Sequence, residues 1–369
     1  MDFVNQTKLV AGWTMGFQKD GRELVVVAVK GTFAIPERVD REPSLAEVQV
    51  PLVTSDTFTG APGFSAVAHE VDFAHHKPAC DVLVNGCAHA PGGRPASCVP
   101  VALMVGPVKK HFEVIGERFY ELGLLGSSTP PPKPFTSLPI SYDRAYGGAD
   151  RHPREPNQIR TYADNPIGVG YYPLTQGHDR SGKALACTRE MGKPADEPNQ
   201  SYRPMAFGPL GRNFKERVKY AGTYDQEWMD RRAPFFPDDF DDRYFQAAPA
   251  DQQMPYPQGG EVVVLENLSP RGRLIFPLPR LNVPVLFIPY RRAAFQRQAV
   301  IDTIVIEPEL DRFTMTWRTA VPMDRSCFDL YQVVVGREIK EYRRTMRPEG
   351  LVHYQGLDEY IKAKRNGFL

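Results

Sequence analysis

Unbroken β-branched runs and apolar/polar alternation give this chain its first outline. In RELVVVAVKGTFAI (22–35), Val25, Val26, Val27 and Val29 leave both faces of the segment apolar. That predicts a central strand covered on each side. Lys30 interrupts the run, and its expected place is with its stem along the sheet and its head in water. Val48, Val50, Leu52 and Val53 predict a second strand. In CDVLVNGCAHA (80–90), Val82 and Val84 precede Asn85-Gly86, a dipeptide that favours a tight hairpin turn. VPVALMVGPVKKHFEVIGERFYE predicts a hairpin turning between Gly106 and Lys110. Its second arm sends Phe112 and Val114 one way, Glu113 and Ile115 the other.

Beyond Gly259-Gly260 the strand signals return. EVVVLENL, RLIFPLP and VPVLFIPY are short apolar runs edged by prolines. In AVIDTIVIEPELDRFTMTWRTAV, Val300, Ile304 and Ile306 lead into Glu307-Pro308-Glu309, and Phe313, Met315 and Trp317 alternate on the way back, as in a hairpin. DLYQVVVGREI predicts one further strand. GLDEYIKAKRNG predicts a short helix, acidic at its start and basic at its end, as the helix dipole prefers.

Between these regions the punctuation changes. PPPKPF (130–135) reads as extended polyproline. Gly147, Gly148, Gly168 and Gly170 lie in YDRAYGG and NPIGVGYY, without a dinucleotide or phosphate-loop pattern. They are expected to supply positive φ angles in tight turns. From Tyr202 to Gln253 large aromatics crowd among Pro234, Pro237 and Pro249 and the pairs Arg231-Arg232, Asp238-Asp239 and Asp241-Asp242. The prolines exclude a long helix or a regular sheet, while the aromatics need cover. An ordered, irregular connector over a sheet scaffold is predicted, the kind of long loop that carries function.

The expected fold is therefore mainly β: antiparallel sandwich- or barrel-like sheets with a long irregular Pro/Gly/aromatic connector and a short C-terminal helix. The regions are 1–125 (antiparallel β), 126–259 (connector), 260–345 (second β region) and 346–369 (tail with the helix). With 35 prolines and 30 glycines in 369 residues, a helix bundle is excluded.

Charge narrows the partners. Lys plus Arg is 45 against 44 Asp plus Glu, so no global field favours nucleic acid or an anionic membrane. No apolar run approaches the ~18 residues of a spanning helix. An acidic second residue and no basic leader argue against a signal peptide. An odd set of five cysteines (Cys80, Cys87, Cys98, Cys187 and Cys327) fits reduced thiols. The expected location is the cytoplasm.

Candidate chemistry is sparse. His75, His76, Cys80, Cys87 and His89 form a loose zinc-type set without a C-x-x-C pair, and structural or surface roles are the expectation. The acids at 238–242 lack the alternate spacing and glycine of a calcium loop. Beside Arg231, Arg232 and Arg243 they read as a charge-paired lock. There is no nucleophile elbow and no H-E-x-x-H. No metal, cofactor or catalytic residue is assigned.

The order of these segments resembles a known family. NQT (5–7), GRELVVVAVKGTF, HHKPACDVLVNGCAHAP, YDRAYGG, NPIGVGYY, FGPLGRNFKERVKYAGTYDQEWMDRRAPFFPDDFDDRYFQAAPADQQ and IDTIVIEPELDRFTMTWR are together similar to accessory proteins of bacterial type VI secretion systems. That family was first known only as a domain of unknown function. The likeness spans residues 5 to about 335 and is most specific from Ala221 to Gln253. Cys80 and Cys87 depart from the family's small polar residues, which further weakens the zinc reading. The resemblance implies a non-enzymatic adaptor or chaperone that binds a PAAR-like effector and helps load it onto the secretion spike protein. Neither nucleic acid nor membrane is an implied partner.

Such a protein needs a face rich in Trp, Tyr, Phe and Arg, and Trp228, Arg231, Phe235, Phe236 and Tyr244 are the candidates. Trp228 and Arg231, three apart, would share a face of a helical turn. The competing role for each aromatic is to bury the connector. Two other classes stay open. A hydrolase would use the Asp-rich turn or the His/Cys set, and a carbohydrate-binding β-sandwich would need coplanar exposed rings.

Overall fold

Residues with branched Cβ atoms suit a pleated surface with neighbours on both sides, and the Val-rich run becomes a deeply buried strand. The computed structural model describes residues 1–38, 41–123, 126–175, 179–340, 342 and 361. Its frame consists of β1 (Asp2–Asn5), β2 (Val10–Phe17), β3 (Glu23–Ala34), β4 (Cys80–Val84), β5 (Cys98–Val105), β6 (Val108–Ile115), β7 (Val262–Glu266), β8 (Leu274–Pro277), β9 (Val283–Pro289), β10 (Phe295–Glu307), β11 (Arg312–Pro322) and β12 (Leu330–Val335). The larger sheet runs β1-β12-β9-β10-β11-β3-β2, with β4 beside β10. It curls nearly closed, and the Asn5 side-chain amide donates to the Leu9 carbonyl between its two edge strands. The smaller sheet pairs β6-β5-β7-β8, with Thr188–Arg189 beyond β6.

Mainly β architecture is as expected, and strands from both ends of the sequence interleave in it. β3 pairs with β11, and β5 pairs with β7. Antiparallel pairing dominates, but β1 runs parallel to β12 and β4 parallel to β10. The predicted hairpins β5–β6 and β10–β11 both form.

Three local expectations fail. Val48, Val50, Leu52 and Val53 form no strand, and Val48 is exposed. There the Gln49 side chain replaces a ladder: its oxygen accepts from the Thr32 N–H and its amide donates to the Thr32 carbonyl. Asn85-Gly86 makes no hairpin, because both sides of β4 are taken by β10 and by Gln253–Met254. The chain instead continues into Gly86–His89, which pairs with Ser137–Ile140. Lys30 does not reach water. It is buried in an ion pair with Asp72. Apart from Ile361, the predicted helix at 356–367 lies outside the described residues.

The two sheets share one apolar core. Val25, Val27, Val29 and Trp317 meet Val101, Leu103, Phe112 and Leu265 across it. Phe33, Phe313 and Phe276 stack in series, with centroids 5.4 and 5.1 Å apart, and so join the layers. Lys110 intrudes on this core beside Phe207, donating to Gln252 Oε1 at 2.7 Å. Burial holds its ammonium down at about 8, only partly opposed by Asp251.

The other face of the large sheet is polar, and the connector covers it. Lys30, Thr316 and Arg318 lie there with Asp81, Asp302 and Thr303, all buried. The Arg318 guanidinium pairs with Asp302 and donates twice to the Asp72 carbonyl, at 3.0 and 2.7 Å. Asp81 accepts from Lys77 Nζ (2.8 Å), Gln246 Nε2 (2.6 Å) and the Ala247 N–H (2.8 Å). Burial works against the Lys77 ammonium, yet Asp81 and Glu70 outweigh it and raise its pKa. Farther out, Arg217 pairs with Glu70 and donates to the Leu210 and Tyr244 carbonyls. These bonds fasten α1 (Lys215–Val218) and the segment after α2 (Gln226–Arg231) to the sheet.

Two outcomes follow from this packing. Asp81→Ala leaves Lys77 buried without its closest anion, so it is expected to cost about 3–5 kcal/mol in urea unfolding. It should also open residues 202–250 to limited proteolysis. A loss below ~1 kcal/mol would show that the pair does not hold the connector. For Lys110 the unfolded chain takes up its proton at ~10.4, above the folded value. The group therefore destabilises the fold increasingly as pH falls from there to about 8. The stability of Lys110→Met relative to the parent should accordingly decline as pH rises between those values, measured by denaturation at each pH. A pH-independent difference would contradict it.

Candidate functional site

Small residues on one side of β2 put its large residues on the other. Gly12 and Gly16 lie against Leu52, Phe73 and His75, and a Cβ on Gly16 would sit 2.3 Å from His75 Nε2. Trp13, Met15 and Phe17 alternate to the opposite side, where Trp13 pairs with Val27 and Met15 with Val25. They share the face of the apolar core, but β2 is the outermost strand. The three side chains remain exposed at its rim.

Contacts at Met15 and at Phe17 extend this stripe into a ribbon. Met15 Sδ lies 3.5 Å from Cys327 Sγ. The turn carrying Cys327 is fixed by the Glu23 carboxylate, which accepts from the Cys327 N–H (2.6 Å) and the Ser326 hydroxyl (3.1 Å). Its next residue, Phe328, is 77% exposed. Phe17 meets Phe235 edge to face at 5.4 Å. The Trp228 indole N–H donates to the Phe235 carbonyl, and Tyr224 packs on Trp228. Met229 then projects outward, 61% exposed.

The sequence-predicted partner residues separate on this ground. Phe236 stacks on Phe240 at 4.1 Å and touches His75, so it anchors the connector. Tyr244 is half-buried beneath the Arg217 guanidinium, to which its carbonyl is bonded. Trp228 and Phe235 are half-buried at the ribbon's end. Trp228 and Arg231 both lie on α2, but Arg231 points into solvent and pairs with Glu227 at 2.8 Å. Sequence reasoning missed Trp13, Met15 and Phe17. Their alternation opposite glycines was the available signal.

Beside the ribbon lies a cleft of about 890 Å³, also missed. Tyr290, Phe295, Met323 and Phe328 line it with Arg291, Arg292, Arg297 and Arg325. Its floor is firm: Phe295 stacks on Phe287, and the Tyr290 N–H donates to the Asp329 carbonyl.

The other candidate chemistry disperses. Cys80 is in the core, His75 packs on Phe236 and Phe245, His76 pairs with Asp242, and His89 pairs with Glu309. Among the described residues no group of three His, Cys, Asp or Glu is placed to hold a metal. Burial pushes the thiols of Cys80 and Cys87 up, away from a nucleophilic thiolate. In the acidic turn Asp238 faces Arg232, Asp239 holds Thr223, Asp241 binds Arg243 and Asp242 meets His76. Each carboxylate has its own local partner. Exposed rings meet at steep angles: 67° for Tyr290 with Tyr331 and 66° for Tyr224 with Trp228. Neither pair makes the flat platform that a sugar ring would stack on. Gly147, Gly148 and Gly170 take positive φ as expected, at +150°, +101° and +101°, whereas Gly168 does not.

Among the described residues no helix is long and apolar enough to cross a membrane. A family model described as "Uncharacterized protein conserved in bacteria (DUF2169)" matches residues 20–318. No curated protein and no solved structure matches the chain.

Proposed function

We propose that this chain, which belongs to the DUF2169 family of bacterial proteins, is a non-enzymatic adaptor that holds another protein across its aromatic ribbon. The observation carrying this reading is the set of exposed apolar side chains Trp13, Met15, Phe17, Met229 and Phe328, tied to the connector by Phe17 on Phe235 and to the Cys327 turn by Met15. Exposed apolar side chains grouped in this way on a single chain mark an interaction site. Its composition also suits an interface core, where aromatics and methionine are enriched.

The kind of partner comes from the motif order, which resembles type VI secretion accessory proteins. On that basis the cargo is a PAAR-like effector, held for mounting on the spike. The dispersed His, Cys and Asp sets favour holding over catalysis.

Arg231 offers a clean test. Its side chain is 75% exposed and its one ion pair is with an equally open Glu227, so its removal costs the fold little. Arg231→Ala should leave the thermal midpoint unchanged. Capture of a co-expressed PAAR-like effector, read by pull-down and gel filtration, should fall more than ~tenfold, the effect of losing about 2 kcal/mol. Unchanged capture would remove Arg231 from the interface. Trp13→Ser combined with Met15→Ser should abolish capture, and full capture by that folded variant would overturn the ribbon as the docking face.

A further inference from the structure

A hairpin normally stays paired along its whole length, but β10 and β11 part midway. Their ladder ends where Val300 meets Arg318. Continued pairing would join 295–299 to 319–323. Instead 295–299 pairs only with β9, and 319–322 pairs only with β3. The strands therefore form a fork, and among the described residues the backbone edges facing each other inside it are unpaired. Phe295, Arg297, Val321, Pro322 and Met323, which line the 890 Å³ cleft, are residues of its two arms and of the turn just beyond. Unpaired strand edges recruit further strands unless something blocks them.

Around this fork four arginines outnumber two acids, Asp324 and Asp329. Arg292 pairs with Asp324. Arg291, Arg297 and Arg325 have no ion-pair partner among the described residues, although all three are exposed at the cleft. Guanidinium groups match carboxylates with paired, directional hydrogen bonds. Tyr290, Phe295 and Phe328 add apolar bodies between them.

We propose that the fork takes an extended, acidic segment of a partner protein as an added strand. Its backbone pairs with the free edge of β10, and its carboxylates meet Arg291, Arg297 and Arg325. This is strand addition, in which main-chain bonds supply affinity and side-chain sites supply specificity. The inference rests on the adaptor reading and adds the chemistry of what is held. A single-stranded nucleic acid would also welcome arginine and aromatic groups, but it has no amides for a strand edge.

The test uses the full chain and a fluorescein-labelled peptide of ten alternating Glu and Val residues, followed by anisotropy. Binding is expected, and it should weaken at least ~fivefold when ionic strength rises to roughly 0.5 M. The variant R291E/R297E/R325E should lose more than ~tenfold in affinity with an unchanged circular dichroism spectrum. Alternating Lys-Val and Ser-Val peptides should not bind. The Glu-Val peptide N-methylated at alternate residues should also fail, because it cannot complete the ladder. No binding of the parent peptide, equal binding by the charge-reversed variant, equal binding of the N-methylated peptide, or equally tight binding of a thymidine oligonucleotide would each overturn the proposal. Effector capture by a protein whose fork takes no acidic peptide would leave the adaptor reading standing and this one overturned.

Discussion

Asp81 is the group on which the arrangement of the connector depends. It sits on a central strand, wholly buried, and its two oxygens bind Lys77, Gln246 and the Ala247 backbone. A buried carboxylate without such partners would be strongly unfavourable, and even a paired one gains little net stability. What the pairing supplies is position. Only one placement of 246–247 over β4 satisfies both oxygens, so an irregular segment is fixed as firmly as a strand. Arg318 does the same for the 67–77 segment by binding the Asp72 carbonyl and Asp302 together. The aromatic connector is thus held by polar bonds beneath and by ring packing around His75, Phe236, Phe240 and Phe245 beside it.

This polar layer explains what the sequence revealed and what it concealed. β3 was legible because its valines are apolar on both faces, and β10–β11 because alternation flanks Glu307-Pro308. The burial of Lys30 was not legible. Its partner Asp72 is 42 residues away, and nothing local marks a carboxylate that will be drawn under a loop. The same distance hid the fate of Asn85-Gly86, whose hairpin preference yields to pairing of β4 with strands more than 150 residues later. Local preference is a weak prior beside tertiary pairing of that kind.

The candidate site divides along similar lines. Counting aromatics drew attention to 202–253, where Phe236 and Tyr244 turn out to stabilise the connector itself. A large ring in an irregular segment must first be covered, so density of aromatics reports packing before it reports contact. Trp13, Met15 and Phe17 are fewer, yet they lie on the outermost strand and remain exposed on the side away from Leu52, Phe73 and His75. Exposure there is a consequence of sheet order, which short-range pattern does not contain.

Edge strands of soluble proteins are usually blunted by charge, proline or cover. β2 carries no charge or proline among its eight residues, VAGWTMGF, and the side of its two glycines is covered by Leu52, Phe73 and His75. The fork between β10 and β11 is, among the described residues, a second open edge, where four arginines outnumber two acids. The contrast is informative. An edge guarded by unneutralised positive charge resists self-association while remaining receptive to an acidic chain, whereas an uncharged apolar ribbon does not discriminate. In the adaptor reading proposed above, that division would give the fork the choice of partner and the ribbon the apolar contact.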